Sequence, residues 1–332
     1  MSTQTTVTVA DMLQKLHDGT GGRRVRPLMP FPTGFEPLDS VLNGGLRAHD
    51  LTLLGGAPAV GKTIAALQWA RSMAQHGATV VYVCYEHDES DLLARLLLLE
   101  IGSLPERPGA AIPSDRLHRA VLAAANGHHN LRDVVGDPEV ISAAQERLAG
   151  YASRLRLVRA SASRTTLDDI EAMVLSLGEG NTAVVVDYLQ KIRPGHDFVS
   201  EGDRITAATE GLKEMALTHD AAVLAVVAAD ITLHQQGRIR LRHLRGAGAL
   251  GYESDVVVML NDKMDAVSKA HLAYDGRVAE AARDYVVFSI EKNRGGPADL
   301  HLEHRKDFRH FRFEPDGRYV AERVTDDRLV TE

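Results

Sequence analysis

One segment of the sequence has the residue types and spacing of a phosphate-binding loop. It reads Gly56-Ala57-Pro58-Ala59-Val60-Gly61-Lys62-Thr63 and fits the pattern G-x-x-x-x-G-K-[ST]. The loop lies between an apolar run, Leu51 to Leu54, and a helical pattern, Ile64 to Met73. In such a loop backbone N–H groups surround phosphates, the lysine reaches the β- and γ-phosphates, and the Thr hydroxyl binds Mg²⁺. We therefore expect all eight residues to bind ATP, with Lys62 acting in catalysis and Thr63 on Mg²⁺.

Two acidic residues at predicted strand ends could complete this site. Asp187 ends the run Ala183 to Asp187 and is the candidate for a second Mg²⁺ contact beside Thr63. Glu86 follows the run Val80 to Tyr85, and it could position and polarise an attacking water if that strand is parallel. The alternatives are an ordinary strand-end aspartate and a solvated loop glutamate.

The elements that must position these residues alternate between short β-rich runs and helical patterns. This alternation predicts an α/β fold with a mostly parallel sheet flanked by helices. The patches in Leu300 to Phe313 predict an antiparallel hairpin at the sheet edge. Seven strands are predicted, near Leu51–Leu54, Val80–Tyr85, Leu155–Val158, Ala183–Asp187, Val223–Val227, Val256–Leu260 and Tyr285–Ile290.

The chain divides into three parts. Residues 1–32 hold a short amphipathic helix behind Thr8 and a linker, residues 33–316 form one domain with a helical insertion at about 103–154, and residues 317–332 form a charged tail. The apolar face of the first helix packs on its own domain or on a neighbouring subunit.

Charge and composition exclude several classes of protein. The net charge of −7 excludes a uniformly basic surface that coats nucleic acid, although a local basic stripe stays possible. The single cysteine, Cys84, excludes a disulfide framework or a cysteine metal site. The polar start of the chain and the short longest apolar run, 221–229, predict no membrane association and a cytoplasmic protein.

From about Thr33 to about Phe313 the chain resembles the ATPase domain of DnaB-type replicative helicases, within the RecA-like group that also contains RadA and KaiC. The residues that carry the resemblance are the P-loop, Tyr85-Glu86, Val186-Asp187-Tyr188-Leu189-Gln190, the stretch from Leu244-Arg245-Gly246-Ala247-Gly248 to Ser254-Asp255-Val256-Val257, and Glu291-Lys292-Asn293-Arg294-Gly295-Gly296-Pro297. The resemblance implies a RecA-like core.

The resemblance also implies a six-subunit ring with ATP between protomers. In that arrangement Glu86 is the catalytic glutamate, and Lys292 and Arg294 reach the ATP of the neighbouring subunit. Cations placed against developing charge are what phosphoryl transfer requires, so an arginine supplied in trans makes hydrolysis depend on assembly. The alternative is that both are solvated charges at a strand end.

Single-stranded DNA in the ring channel is the partner that the resemblance implies, with a loader or replication proteins as further partners. Arg245 and Gly248 match the channel loop of the family, and Arg242 belongs to a basic run just before it. The alternative for this run is a solvated turn with alternating charge.

Departures from the family leave other functions open. Ala228 stands where the family has a glutamine that senses the γ-phosphate, Glu291 could neutralise Lys292, and the primase-interacting domain is not expected in the residues before Thr33. The leading hypothesis is a helicase or translocase in DNA replication, of 5′–3′ type by resemblance alone. The rivals are a RadA- or KaiC-like ATPase in recombination or regulation without processive unwinding, and an assembly module that hardly turns over ATP.

Overall fold

A computed structural model of the chain describes residues 8–18, 29–105, 114–125, 138–178, 180–193, 200–230, 237–267 and 280–325. Ten strands within these residues form one sheet. They are β1 (Leu51–Gly56), β2 (Thr79–Cys84), β3 (Leu155–Arg159), β4 (Thr182–Asp187), β5 (Ala221–Ala228), β6 (Val256–Asp262), β7 (Tyr285–Asn293), β8 (Leu300–Asp307), β9 (Arg312–Phe313) and β10 (Arg318–Tyr319).

Helices cover both faces of this sheet. They are α1 (Val9–Asp18), α2 (Leu38–Val41), α3 (Lys62–Gln75), α4 (Glu89–Gly102), α5 (Ser114–Ala125), α6 (Pro138–Ala152), α7 (Leu167–Leu175), α8 (Glu201–Thr218), α9 (Ala247–Glu253) and α10 (Lys263–Ala266). No helix of the described ranges combines the length and the apolar character that crossing a bilayer requires.

The strand order is β10-β8-β7-β6-β1-β5-β4-β2-β3, and β9 pairs with β8. Neighbours from β6 to β3 run parallel, whereas β6 to β10 pair antiparallel. The predicted α/β class, the mostly parallel sheet and the antiparallel C-terminal edge are therefore confirmed. All seven predicted strands are present, with ends that differ by at most three residues.

Burial explains why the central strands lack alternation. Strands β1, β4 and β5 are buried along almost their whole length because helices cover them on both sides. On one face Trp69 of α3 shares a core with Leu54, and on the other Leu212 of α8 shares a core with Leu53. Because helices pack on both sides, the strand ends that carry polar residues are held in fixed positions along the sheet.

The two ends of the chain differ in how they meet the domain. Helix α1 begins behind Thr8, whose hydroxyl accepts from the Asp11 N–H at 3.1 Å, and its residues Val9, Met12 and Leu13 are exposed. At the other end, residues 317–325 were expected to form a peripheral tail. These residues supply β10, the outermost strand, in which Arg318 and Tyr319 are exposed, and a bridge between Val267 and Val324.

Parts of three predicted segments lie outside the described residues. They are positions 1–7 and 19–28 of the predicted N-terminal helix and linker, 106–113 and 126–137 of the predicted insertion, and 326–332 of the predicted tail. The rest of the insertion contains α5 and α6, which share a core with α4 through Ala120 of α5 and Ile141 and Ala144 of α6.

Candidate nucleotide-binding site

The P-loop connects β1 to α3 and depends on glycine where it enters the helix. Gly61 is the residue before α3 and has φ = +98°, a left-handed conformation that side chains rarely adopt. A Cβ at this position would lie 2.5 Å from Cζ of Phe313. The loop therefore packs directly beneath the C-terminal hairpin, and Gly61 permits that approach.

Lys62 begins α3 and folds back over its own loop. Its Nζ donates to the carbonyl oxygens of Gly56 at 3.0 Å and Ala57 at 2.7 Å. Burial lowers the pKa of Lys62, while the nearby carboxylates of Asp187 and Glu86 act in the opposite direction. The ammonium group is thus held between two carbonyls and faces two acidic residues.

Asp187 ends β4 and is 1% exposed. Tyr82 Oη donates to its Oδ2 at 3.0 Å, and the hydroxyl of Thr63 donates to the same carboxylate. Burial raises the pKa of Asp187, and these two hydrogen bonds only partly oppose that rise. Its hydrogen-bond donors in the described part of the chain are neutral hydroxyls, so a buried carboxylate meets Thr63 where a cation would stabilise it.

A cavity of about 540 Å³ lies above the P-loop and brings together Lys62, Thr63, Glu86 and Asp187. Glu86 lies two residues after the end of β2 and is exposed. Because β2 and β4 are parallel and Cys84 pairs with Asp187, both acidic residues leave the sheet at the same edge. Four predicted residues from three places in the sequence thus line one cavity.

The remaining P-loop residues divide by exposure. Pro58, Ala59 and Gly61 also line the cavity, whereas Val60 is buried in the core and Ala57 packs against it. Gly56 ends β1, opposite Leu260 of β6.

Sequence reasoning missed Arg95, which lines the same cavity from α4. Its guanidinium carbon lies 4.5 Å from the centroid of the Phe311 ring, and Nη2 lies 3.5 Å from Nδ1 of His87. Burial lowers the pKa of Arg95, and its buried Nε finds no hydrogen-bond partner within the described residues. A signal was available, because the Asp88 cap starts α4 beside Glu86 and Arg95 lies less than two turns after Glu89.

Phe308 and Phe311 also line the cavity, and both come from the turn between β8 and β9. The Phe308 ring packs edge-on against Phe313 at 5.5 Å between centroids. No local pattern could have linked this turn to the P-loop, because the sheet brings together two ends of the domain.

Ala228 ends β5 opposite Gly56 and places a methyl group at the cavity, at the position where the resemblance implied a glutamine. A different amide holds this strand end. Gln190 Nε2 donates to the Ala228 oxygen at 3.2 Å, and the Ala228 N–H donates to Gln190 Oε1 at 3.1 Å. The segment after β4 is therefore tied to the end of β5.

Lys292 and Arg294 lie away from this cavity. Lys292 of β7 is opposite Val257, which is opposite Leu53, so it lies about 10 Å below the level of Gly56 by strand rise. Lys292 Nζ donates to the carbonyls of Gly251, Tyr252 and Ser254. In one subunit the structure therefore does not bring these cations to the P-loop.

Arg294 is held beside Lys292. Its Nη1 lies 3.0 Å from Oδ1 of Asp255, and its Nη2 donates to the Tyr252 oxygen at 2.8 Å. Its side chain is 54% exposed, so the guanidinium is tethered at the surface rather than enclosed.

The expectation that Glu291 neutralises Lys292 was wrong. The pairing of β6 with β7 shifts by one residue, so that Ile290 is opposite Val258, Lys292 is opposite Val257, and Glu291 is the extra residue. Glu291 accepts from Arg240 Nε at 3.1 Å and from the Leu241 N–H at 2.8 Å. The Glu291 carboxylate therefore binds the turn before the basic loop.

The three predicted DNA contacts lie on one short segment, which runs from the 3₁₀ turn Leu241–His243 to the first turn of α9. Arg242 is exposed and donates to His243 Nε2 at 3.2 Å, and Arg245 lies 3.4 Å from Glu201 of α8. Gly248 is exposed, and the space around its Cα is open. This surface is accessible in the single chain.

Residues 31–313 match the family model described as the DnaB-like helicase C terminal domain. The replicative DNA helicase DnaB of Leifsonia xyli subsp. xyli is 26% identical over 271 residues, covering 80% of this chain and 52% of that protein. The DnaB of Geobacillus stearothermophilus is 25% identical over 258 residues, covering 75% of this chain and 50% of that protein. The chain thus spans about half the length of these curated relatives.

A shorter match is to the DNA repair protein RadA of Mycobacterium tuberculosis, 37% identical over 86 residues, covering 26% of this chain and 18% of that protein. Among solved structures, an ATPase domain superimposes with a TM-score of 0.70 at 19% identity, covering 92% of this chain and 98% of that one. A DnaB-like replicative helicase, solved in a study of its interactions with primase, gives 0.68 at 19% identity, covering 92% and 65%. These structures share the fold, and the match over residues 31–313 places the chain in the DnaB-like helicase C-terminal domain family.

Proposed function

We propose that this chain is a DnaB-like ATP-dependent DNA helicase or translocase, which hydrolyses ATP at the subunit interfaces of a ring and binds single-stranded DNA in its channel. The observation that carries the proposal is the cavity where Lys62, Thr63, Glu86 and Asp187 meet above the P-loop. A P-loop, a buried carboxylate and a free acidic residue are the parts that phosphoryl transfer to water requires.

Thr63 and Asp187 would hold Mg²⁺, which neutralises charge on the phosphates when it is bound. The fit rests on this chain: a buried carboxylate with a raised pKa accepts the hydroxyl of Thr63, and one carboxylate with one hydroxyl is a donor set that Mg²⁺ completes with waters and phosphate. Lys62 would exchange its two loop carbonyls for phosphate oxygens. Glu86 would orient the attacking water from the exposed side of the cavity.

Lys292 and Arg294 would act on the nucleotide of the next subunit. They lie at a surface of the sheet away from their own P-loop, so a contribution to hydrolysis requires a second copy of the chain. We infer a homo-oligomeric ring, with six subunits by family, because such rings place one subunit's arginine at the next subunit's phosphates.

Arg245, Gly248 and Arg242 would contact the phosphates of single-stranded DNA. They share one exposed surface, where an arginine and open backbone can hold phosphates without reading bases. Action in DNA replication, in the cytoplasm and with a loader or other replication proteins, follows as part of this proposal.

The test is steady-state ATP hydrolysis with and without single-stranded DNA at low salt, with Lys62→Ala as the blank. Severalfold stimulation by DNA supports a motor that moves along DNA. A rate equal to that of the blank, with or without DNA, contradicts the proposal.

Ala228 favours a second candidate, a RadA- or KaiC-like ATPase that does not unwind processively. Its methyl group cannot sense a γ-phosphate as an amide would, and the nearby Gln190 amide is already bonded to the Ala228 backbone. Hydrolysis above the blank that DNA does not stimulate would favour this candidate. Branch migration without unwinding of a forked duplex would favour its recombination form.

A further inference from the structure

Helix α9 lies between two groups of residues that the proposed function uses. Its amino end includes Gly248 and directly follows Arg245 and Gly246, and its carboxyl end lies beside Lys292 and Arg294. At 1.5 Å per residue, Gly248 and Tyr252 are only about 6 Å apart along the axis. Leu250 is the buried residue of this helix, so a stiff element is anchored to the core at one point.

The carboxyl end of α9 forms a cradle of carbonyl oxygens. Lys292 Nζ donates to Gly251 O at 2.7 Å, to Tyr252 O at 3.4 Å, and to the oxygen of Ser254. The last carbonyls of a helix have no partner within the helix, and a cation is favoured at this end of the helix dipole. The position of the Lys292 ammonium is therefore set by the position of α9.

Asp255 holds Arg294 from the other side. Its carboxylate accepts from Arg294 Nη1 at 3.0 Å, from Lys213 Nζ at 2.6 Å and from the Leu51 N–H at 2.8 Å. Asp255 is 4% exposed. Arg294 is thus tied through Asp255 to the start of β1 and, through Tyr252 O, to the carboxyl end of α9.

We propose that α9 positions Lys292 and Arg294, so that the DNA contact at Arg245–Gly248 of one subunit sets the reach of these cations toward the nucleotide of the next subunit. This inference rests on the proposed function, because it needs both the DNA loop and the trans site. A DNA strand bound at the amino end of α9 changes the position or the mobility of the whole helix. The carbonyl oxygens at its carboxyl end, which hold Lys292, change in the same way. Stimulation of hydrolysis by DNA then passes through α9.

The experiment loosens the helix without touching either group. Ala249→Gly replaces a mid-helix residue, and Ala172→Gly in α7 is the matched control in a nine-residue helix elsewhere. For Ala249→Gly we expect the rate of hydrolysis without DNA to stay within about twofold of wild type. We expect the stimulation at saturating oligo-dT to fall about fivefold, which is the factor that corresponds to the lower helix propensity of glycine relative to alanine. The control should keep wild-type stimulation.

The outcomes separate the two ideas. Wild-type chain that oligo-dT does not stimulate contradicts the proposed function, and the inference falls with it. Stimulated wild type together with an equally stimulated Ala249→Gly variant overturns the inference and leaves the proposed function standing.

A second measurement needs no variant. The rate of amide hydrogen exchange at Ser254 and Asp255 in the wild-type ring should change at least about twofold when oligo-dT saturates it. These two amides directly follow α9, and they donate to the carbonyl oxygens of Leu250 in α9 and Leu51 in β1. Unchanged exchange at these two amides, with protection confined to Arg245–Gly248, would overturn the inference.

Discussion

Two buried aspartates, at opposite ends of the sheet, differ in what surrounds them. Asp187 at the carboxyl end of β4 accepts from two neutral hydroxyls, and burial raises its pKa. Asp255 before β6 accepts from Lys213, from Arg294 and from a backbone N–H. Two cations of the protein pair directly with Asp255, whereas Asp187 only faces the Lys62 ammonium and is hydrogen-bonded by neutral hydroxyls.

This difference separates a site that binds a ligand from a site that stabilises the structure. A buried carboxylate without a cation costs stability, which is a cost that active sites carry because the charge is needed for the reaction. A buried carboxylate with two cations stabilises the junction of β1, α8 and β7 and fixes the cations in turn. Substitutions at the two ends of the sheet should therefore have opposite effects on activity and on stability.

The largest effect is expected from Arg294→Ala. ATP binding should be normal and hydrolysis should fall about 10³-fold, because an arginine supplied in trans contributes at least that much. Mixing this variant with Lys62→Ala should restore part of the activity, since some interfaces then combine an intact P-loop with an intact arginine. Steady-state hydrolysis of mixed rings measures this, and wild-type turnover of Arg294→Ala alone would remove Arg294 from the site.

Asp187→Asn is expected to lower hydrolysis about 10²-fold while raising the free energy of unfolding at neutral pH. The pKa of Asp187 is raised in the folded state, so its ionisation on going to neutral pH destabilises the fold, and asparagine avoids this. The gain should appear as the pH rises from about 4 through the raised pKa. Urea unfolding at several pH values measures it, and a variant less stable than wild type at pH 7 would contradict the comparison.

Asp255→Asn should have the reverse effect on stability. Removing one partner leaves Lys213 and Arg294 without their counter-charge, and we expect the free energy of unfolding to fall by about 2–4 kcal/mol. Urea unfolding checks this, with the exposed Asp220→Asn as control. Equal stability of the two variants would show that Asp255 does not hold this end of the sheet.

The smallest effect is expected from Phe308→Ala, which trims the cavity wall without removing a charge. The KM for ATP should rise about fivefold at unchanged kcat, because an aromatic contact on the nucleotide side is lost. Tyr319→Ala on the outer strand β10 is the matched control. A change in kcat alone would mean that Phe308 acts on the P-loop through Phe313 instead.

Local sequence patterns were enough to predict most of the fold and the residues of the site that lie at the strand ends. The P-loop, Asp187 and Glu86 follow apolar runs that any parallel sheet would align at one edge, so their positions could be predicted. Phe308 could not, because this part of the cavity wall forms only when the C-terminal turn packs over the loop. For Arg95 the only sequence signal was its place in the second turn after the Asp88 cap. The partners of Asp255 come from β1, α8 and β7, and no spacing in the sequence joins them.

Strand order has a consequence for synthesis of the chain on the ribosome. Strand β1 pairs with β5 and β6, and Leu51 meets its first partner, Val223, only after more than half of the chain has been made. At 5–20 residues per second this delay is roughly 10–35 s. Throughout that interval a nascent chain carries the phosphate-binding loop on a strand with two open edges. Capture of nucleotide should therefore be among the last steps of biogenesis, after β6 has left the exit tunnel.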